Sequence, residues 1–413
     1  MKVYSNLFDK ICTYENFKLA YKNAIKGKKH YTEVRVIQRS PYRYLRKLLE
    51  EVKSEKYIVS EYVNFKLWSG HKWRDISKLP MKDRIIQHAI MIYLEPIFRE
   101  TFILDTFSSI KTRGIHLGLK RVKHYINHCD DDYILKLDIH KCYPSLDQNI
   151  LKQKLAKKFN DDKLLRLLYK IIDSCPKGVP IGNYTSQYFN NFYFNDFDHW
   201  IKEVKGIKGY FRYCDDIVII HKDKEFLHNL LEELKVKISE LNIKLKPNYQ
   251  IYKISDSGID FLGYIIHRDY IKVRKNTKQN FINKVSKMDF NNLTAKDINV
   301  LGSYWGIFVH ADCRHLWETY TGVKTFKDLN IKVHNRDFVK DVLDKEIIVN
   351  SAVIYYRKGE KRVRLCVTYD TIEDVYISTS AEMIIEAIEQ LNINHYPFKT
   401  IIKVNDKGYY MFT

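Results

Sequence analysis

Two successive aspartates, Asp215 and Asp216, stand between two apolar runs, Gly209-Tyr210-Phe211-Arg212-Tyr213 and Ile217-Val218-Ile219-Ile220-His221. Both runs have the length and the aromatic and β-branched content of strands, so the spacing predicts a hairpin with Cys214-Asp215-Asp216 at its turn. An aspartate at a tight turn commonly serves only local hydrogen bonds. The hairpin gains chemical meaning from Tyr133-Ile134-Leu135-Lys136-Leu137-Asp138-Ile139, which reads as a buried strand delivering another carboxylate at its end. If that strand lies beside the hairpin in one sheet, Asp138, Asp215 and Asp216 converge. Nucleotidyl transfer asks for such a set, because it uses two divalent ions about 3.5–4 Å apart, one at the attacking 3′-hydroxyl and one at the triphosphate. Magnesium prefers oxygen ligands, which carboxylates supply.

Between these elements lies Gly178-Val179-Pro180-Ile181-Gly182-Asn183-Tyr184-Thr185-Ser186-Gln187, a glycine-bearing segment leading into a helix, where a nucleotide could approach the backbone closely. From the start to about Ile126 the chain reads largely as helices carrying basic residues, as in Tyr44-Leu45-Arg46-Lys47-Leu48-Leu49-Glu50-Glu51-Val52. This is a candidate nucleic-acid-facing layer. Phe194 to Val204 reads as a helix end and Phe226 to Leu241 as an amphipathic helix, followed by a strand and turn at Gly258-Ile259-Asp260-Phe261-Leu262-Gly263-Tyr264. A helical segment covers about Asn276 to Tyr320. After Val323 the texture changes to strands, one helix over Ala381 to Leu391 and more strands, most simply a small appended α+β domain. No Gly/Ser/Pro-rich linker or repeat marks the boundaries.

Lysine and arginine outnumber aspartate and glutamate by 70 to 50, and the net +20 is spread along the chain, so a polyanionic partner is expected. Seven cysteines are scattered singly, without the paired spacing of a zinc or iron–sulfur site, so reduced structural thiols are expected. The sequence from Met1 lacks the apolar run of a signal peptide, and no stretch approaches the roughly 20 apolar residues of a membrane span. The expectation is a cytoplasmic protein without a membrane partner.

Leu137-Asp138-Ile139-His140-Lys141-Cys142-Tyr143 resembles the first palm motif of reverse transcriptases, Ile181 to Gln187 their second, Tyr213-Cys214-Asp215-Asp216 their Tyr-x-Asp-Asp motif and Phe261-Leu262-Gly263-Tyr264 their primer grip. The four occur in the family's order. Upstream, Asp83-Arg84 and Phe107-Ser108-Ser109-Ile110-Lys111-Thr112-Arg113-Gly114-Ile115-His116 resemble the fingers motifs, so the resemblance covers most of Met1 to Tyr320. It implies an α+β right-hand polymerase: N-terminal region and fingers over 1–128, palm over 129–268 with a fingers insertion at about 150–178, and helical thumb over 269–322. Residues 323–413 would form the C-terminal α+β accessory domain.

The implied activity is DNA synthesis from dNTPs on an RNA template, with two Mg2+ ions for which Mn2+ substitutes. Asp138 and Asp215 would ligate both ions, Asp216 would be the more dispensable third carboxylate, and the Ile139 carbonyl would complete the site. Tyr143 matches the aromatic gate against a ribose 2′-hydroxyl. Lys111 and Arg113 match basic fingers residues that hold the triphosphate, with Gly182 and Gln187 also at the nucleotide and Arg84 a further nucleic-acid contact. After Pro247, relatives usually place a lysine where this chain has Asn248-Tyr249, which leaves Lys244 and Lys246 as substitutes near the leaving group.

Ile181-Gly182-Asn183-Tyr184-Thr185-Ser186-Gln187 is similar to the signature of reverse transcriptases from diversity-generating retroelements, whose copying is error-prone at template adenines. Glu15-Asn16 with Ala20-Tyr21, and Ser303-Tyr304-Trp305-Gly306 with His310-Ala311, also resemble that group. The region after Val323 exceeds what its minimal enzyme needs. Antiphage-defence reverse transcriptases acting with a structured noncoding RNA share the core, and a non-catalytic RNA-binding protein with a polymerase-like core is the remote alternative. The expected partners are a dedicated noncoding or repeat RNA as template, the DNA product, and a small accessory protein or a second copy of the chain. In the C-terminal domain Lys358, Lys361, Arg362 and Arg364 cluster around Gly359 at an expected hairpin turn, with Tyr355, Tyr356, Tyr409 and Tyr410 as stacking faces for RNA or nascent strand.

Overall fold

The computed structural model describes residues 2–68, 73–290, 293–326, 346–357, 360–369, 372–379, 382–390, 398–404 and 410–413. They fall into two compact units, Met1–Thr277 with His310–Asp312, and Lys278–Val309 with Cys313–Thr413.

The core of the first unit is organised by the helix Met81–Thr101, which buries Ile85, Ile86, Ala89, Ile90, Met91, Leu94 and Phe98. A helix apolar on so much of its circumference must be covered on several sides. Helix Tyr14–Ala24 supplies one cover, with Thr13 at its N-cap accepting a hydrogen bond from the Asn16 N–H. Helix Tyr184–Tyr193 supplies another and buries Tyr188, Phe189 and Phe192. Phe98 lies within 5.0 Å of the Phe192 ring and 5.8 Å of Phe159, centroid to centroid, and is wholly buried. Phe98→Ala is therefore expected to cost about 3–5 kcal/mol of unfolding free energy, readable in a denaturant titration; a loss below about 1 kcal/mol would mean that the cluster refills the space.

β1 (Val63–Trp68) and β2 (Trp73–Lys78) form an antiparallel hairpin inside the region expected to be helical. The alternation Val63, Phe65, Leu67 is its sequence signature. β3 (Tyr133–Asp138), β4 (Tyr210–Tyr213), β5 (Asp216–His221) and β6 (Gln250–Lys253) make an antiparallel sheet in the order β4-β5-β3-β6. Ile217 through Ile220 are all buried, which explains an apolar run without alternation: both faces of β5 are covered. β7 (Ile259–Phe261), β8 (Tyr264–Ile266) and β9 (Ile271–Val273) form a second, three-stranded sheet. The β7–β8 turn has Leu262 and Gly263 at φ +57° and +90°, the positive pair that a tight two-residue hairpin demands.

In the second unit the helical stretch expected over about 276–320 is three helices, Lys275–Val285 (its first residues in the first unit), Ala295–Phe308 and Arg314–Thr321. The second opens on a capping box between Thr294 and Asp297. Their shared core is aromatic: Phe281 stacks on the buried Trp317 at 5.9 Å and meets Phe308 edge-on at 4.7 Å. Further along, β10 (Glu346–Arg357), β11 (Glu360–Tyr369), β12 (Ile372–Thr379), β13 (Phe398–Val404) and β14 (Tyr410–Phe412) form an antiparallel sheet in the order β12-β11-β10-β13-β14, with the helix Glu382–Glu389. Alternate β11 residues Val363, Leu365 and Val367 are buried. Among the described residues no helix is long and apolar enough to cross a membrane.

Candidate active site

The strand expected to deliver Asp138 and the hairpin expected to carry Asp215 and Asp216 are neighbours. In the β3–β5 register Asp138 lies opposite Asp216, and Tyr213 on β4 pairs with Asp216 from the other side. The chain turns through Cys214, a non-glycine residue at φ +57°. The Ile139 N–H donates to the Asp215 carbonyl at 3.0 Å, closing the turn onto the end of β3. Lys246 contributes twice: its N–H donates to the Asp138 carbonyl at 2.8 Å, and its Nζ lies 3.3 Å from Asp138 Oδ1.

Asp216, like Asp138 and Asp215, is half-buried, but one of its carboxylate oxygens is shut off from solvent. Burial pushes its carboxyl up to about 7; Lys136 and Arg274 pull it down, while the charges of Asp138 and Asp260 add to the rise. Its Oδ1 is buried without a hydrogen-bond partner. Asp260 sits between two cations: Lys136 Nζ donates to its Oδ2 at 3.0 Å and Arg274 Nε to its Oδ1 at 2.5 Å.

An orphaned carboxylate oxygen, a neighbouring carboxylate in register, and a lysine ammonium resting on Asp138 together fit a divalent cation. Among the described residues no three His, Cys, Asp or Glu side chains converge tightly enough to cage an ion on their own. Magnesium does not require that, since it typically takes one or two carboxylates, waters and substrate phosphates. A pH dependence follows. Asp216 binds its proton more tightly in the folded state than at the ordinary carboxyl value of 3.8. Between about pH 4 and 7 the folded state thus holds a proton that the unfolded chain has lost, and stability falls as pH rises through this window. A cation at the site replaces the proton, so Mg2+ should raise the melting temperature more at pH 8 than at pH 6, with the difference abolished in Asp216→Asn. Equal Mg2+ shifts at both pH values would sever the link between Asp216 and the metal.

The remaining expected residues divide. Tyr143 is half-buried, and its carbonyl accepts from the Val179 N–H at 3.1 Å. Gly178, at φ +65°, lies directly against that carbonyl, where a Cβ would collide. Gly182, at φ +128°, is packed the same way against the carbonyl of Ser77, whose N–H donates to Ile181 at 2.9 Å. The close approach at Gly182 is thus made by the β1–β2 hairpin. Gln187 is exposed in the first turn of helix Tyr184–Tyr193, and Lys111 is exposed in its loop.

Arg113 is placed otherwise than expected: its Nη1 donates to the Ile103 carbonyl at 2.5 Å and its Nη2 to that of Arg99 at 3.3 Å. The guanidinium anchors the loop that carries Lys111. Arg84 likewise donates its Nε to the Leu79 carbonyl at 3.1 Å. In the β7–β8 turn, Leu262 packs against Gly118 of helix Ile115–Asn127, where a Cβ would collide with it. Lys361, Arg362 and Arg364 lie on β11, which pairs with β10 from Arg357–Glu360 onward; Lys358, Gly359 and Tyr409 lie outside the described residues.

Sequence reasoning missed Lys136, Asp260 and Arg274, and the basic residues Lys66 and Arg74 exposed on β1 and β2. A lysine inside an otherwise apolar strand was the available signal for the first, because a cation is rarely buried without a partner.

Residues 69–266 match the family described as Reverse transcriptase (RNA-dependent DNA polymerase), and residues 337–413 match Domain of unknown function (DUF8468). Protein YkfC of Escherichia coli K12 is 22% identical over 246 residues, covering 48% of this chain and 65% of that protein. The group II intron-encoded protein LtrA of Lactococcus lactis is 24% identical over 147 residues, covering 33% of this chain and 24% of LtrA. The chain thus spans less than two thirds of these curated relatives. Among solved structures it is similar to apo telomerase from Candida tropicalis, with a TM-score of 0.44 and 13% identity over 66% of this chain and 55% of that one.

Proposed function

We propose that the chain, which carries a reverse transcriptase domain over residues 69–266, is an RNA-directed DNA polymerase that extends a primer with deoxynucleotides on an RNA template. One observation carries this reading: the register that sets Asp138 opposite Asp216 and closes Asp215 onto Ile139 at the end of one sheet. Asp138, Asp215, Asp216 and the Ile139 carbonyl are the groups that would hold two Mg2+ ions, or Mn2+ in their place. When bound, the ions activate the primer 3′-hydroxyl and offset the charge of the triphosphate. The chain's own residues do the rest. Lys111, held out by the Arg113 anchor, and Lys66 and Arg74 on the hairpin neutralise phosphate charge. Lys246 is close enough to Asp138 to accompany the departing pyrophosphate. The Tyr143 ring bars a 2′-hydroxyl, and the Phe261-Leu262-Gly263-Tyr264 turn supports the primer. The net charge of +20 suits a polyanionic template and product.

The test is primer extension by the full chain on an annealed RNA template with dNTPs and Mg2+ or Mn2+. Labelled DNA of template-dependent sequence is expected, and no product with either ion over a range of templates would remove the reading.

For the biological programme, the segment Ile181 to Gln187 supports error-prone copying in a diversity-generating retroelement, served by a repeat RNA and a small accessory protein. A second reading, antiphage defence with a dedicated noncoding RNA, is favoured by the domain after Val323, which a minimal enzyme lacks. Sequencing the DNA made on a defined RNA separates them: substitutions concentrated at template adenines support the first, and faithful copying of one co-purifying structured RNA supports the second.

A further inference from the structure

A fully buried ion pair lies directly behind the turn that carries Asp215. Arg212 on β4 is 0% exposed and Asp198 1%. The guanidinium grips the carboxylate with two bonds, Nε to Oδ1 at 2.7 Å and Nη2 to Oδ2 at 2.5 Å. Tyr210 donates its hydroxyl to Oδ1 at 2.5 Å and Thr106 to Oδ2 at 3.1 Å, so Asp198 accepts from all sides. The remaining Nη1 donates to the Cys214 carbonyl at 3.1 Å and reaches Asn191 Oδ1 at 3.4 Å. The Arg212 backbone is pinned too, its N–H to the Asp105 carbonyl at 2.9 Å and its carbonyl from the Phe107 N–H at 3.1 Å.

Desolvating two charges is expensive, and apolar residues of similar volume commonly serve stability as well or better. What an apolar pair lacks is direction. With two of its donors fixed by Asp198, the planar guanidinium has one orientation, and that orientation aims Nη1 at the Cys214 carbonyl. Cys214 needs such a hold, because its left-handed φ of +57° is unfavourable for a residue with a Cβ. The next carbonyl, that of Asp215, is the one held by Ile139. The turn is therefore bracketed by one hydrogen bond on each side.

We propose that Arg212 and Asp198 are positioning residues that fix the Cys214–Asp215 peptide, and through it the Asp215 carboxylate, an inference that rests on the carboxylates being the metal-binding set. Neither side chain needs to touch the substrate. Two variants of the full chain test it. Arg212→Lys keeps the charge but loses the fork. The double variant Arg212→Met with Asp198→Leu removes both charges at similar volume. Mn2+ binding followed by electron paramagnetic resonance, thermal melting and primer extension would be measured on each.

Both variants are expected to melt cooperatively and to need about tenfold more Mn2+ for half-saturation, the loss typical when a group orienting a metal ligand is removed. Turnover should fall by about a hundredfold with little change in KM for the dNTP, as misplacement rather than lost binding would give. If the unaltered protein binds Mn2+ but extends no primer, the polymerase reading fails while the Mn2+ midpoints still decide the positioning role. Wild-type midpoints in either folded variant, or failure of both variants to fold, would make the pair structural and overturn the assignment.

Discussion

Asp138→Ala and Asp215→Ala are each expected to lower primer extension by about a thousandfold or more, since the charge stabilisation that ligated cations supply is worth several kcal/mol and each 1.36 kcal/mol is a factor of ten. Folding should survive. Asp138 ends β3, and its backbone carbonyl bond to Lys246, at 2.8 Å, does not depend on the side chain. Asp215 likewise keeps its carbonyl bond to Ile139 after truncation. Removing Asp138 also frees the Lys246 ammonium from its 3.3 Å contact. RNA affinity should therefore hold or rise slightly while extension is lost, a separation that nonspecific damage would not produce. Asp216→Ala should be milder in activity, because its half-buried, part-protonated carboxyl contributes less charge near neutral pH. Extension by Asp138→Ala at the wild-type rate would remove the assigned site.

The parts of this site that were legible in the sequence are those that backbone patterning dictates. Asp138 and the Asp215-Asp216 turn could be placed because strands announce themselves through apolar runs and turn residues, and because neighbouring strands bring their ends together. The glycines could be picked out as close approaches, but not what approaches: at Gly182 it is the Ser77 backbone. Arg113 shows the limit. Whether a guanidinium faces a substrate or backbone carbonyls depends on the path of residues 99–106, whose Arg99, Ile103 and Thr106 carbonyls accept from its two Nη groups, and no local pattern encodes that path. The β1–β2 hairpin was readable in principle from Val63, Phe65 and Leu67, yet these residues are 60%, 44% and 53% exposed, so the alternation marks no buried face. Likewise the break before Ala295 was written in the Thr294–Asp297 capping pair, though a single helical stretch was the simpler reading. Arg212 and Asp198 stand only 14 residues apart, yet they become partners only through the way the chain folds β4 back against the helix Asn195–His199, which no local periodicity specifies.

Tyr143→Ala is expected to raise ribonucleotide incorporation relative to deoxynucleotide by on the order of a hundredfold, the scale on which a pocket can tell substrates apart by one hydroxyl. The backbone below the ring makes this a clean substitution. The Tyr143 carbonyl is held by the Val179 N–H at 3.1 Å and by the close packing of Gly178, so the main chain should keep its course when the ring is removed. Nor is the phenol a charged participant, because burial, and next the neighbouring Cys214, raises its ionisation well above the ordinary tyrosine value. Two consequences separate a steric gate from a hydrogen-bonding one. Tyr143→Phe, which retains the ring, should discriminate almost as well as the unaltered protein, and discrimination should be flat between pH 7 and pH 9, about the working range in which an unperturbed tyrosine, near 10, would begin to titrate. Competition between matched deoxy- and ribonucleotides on one template reads all three proteins directly. If the ratio in Tyr143→Ala equals that of the unaltered protein, the ring does not border the sugar and the gate must be sought in another residue.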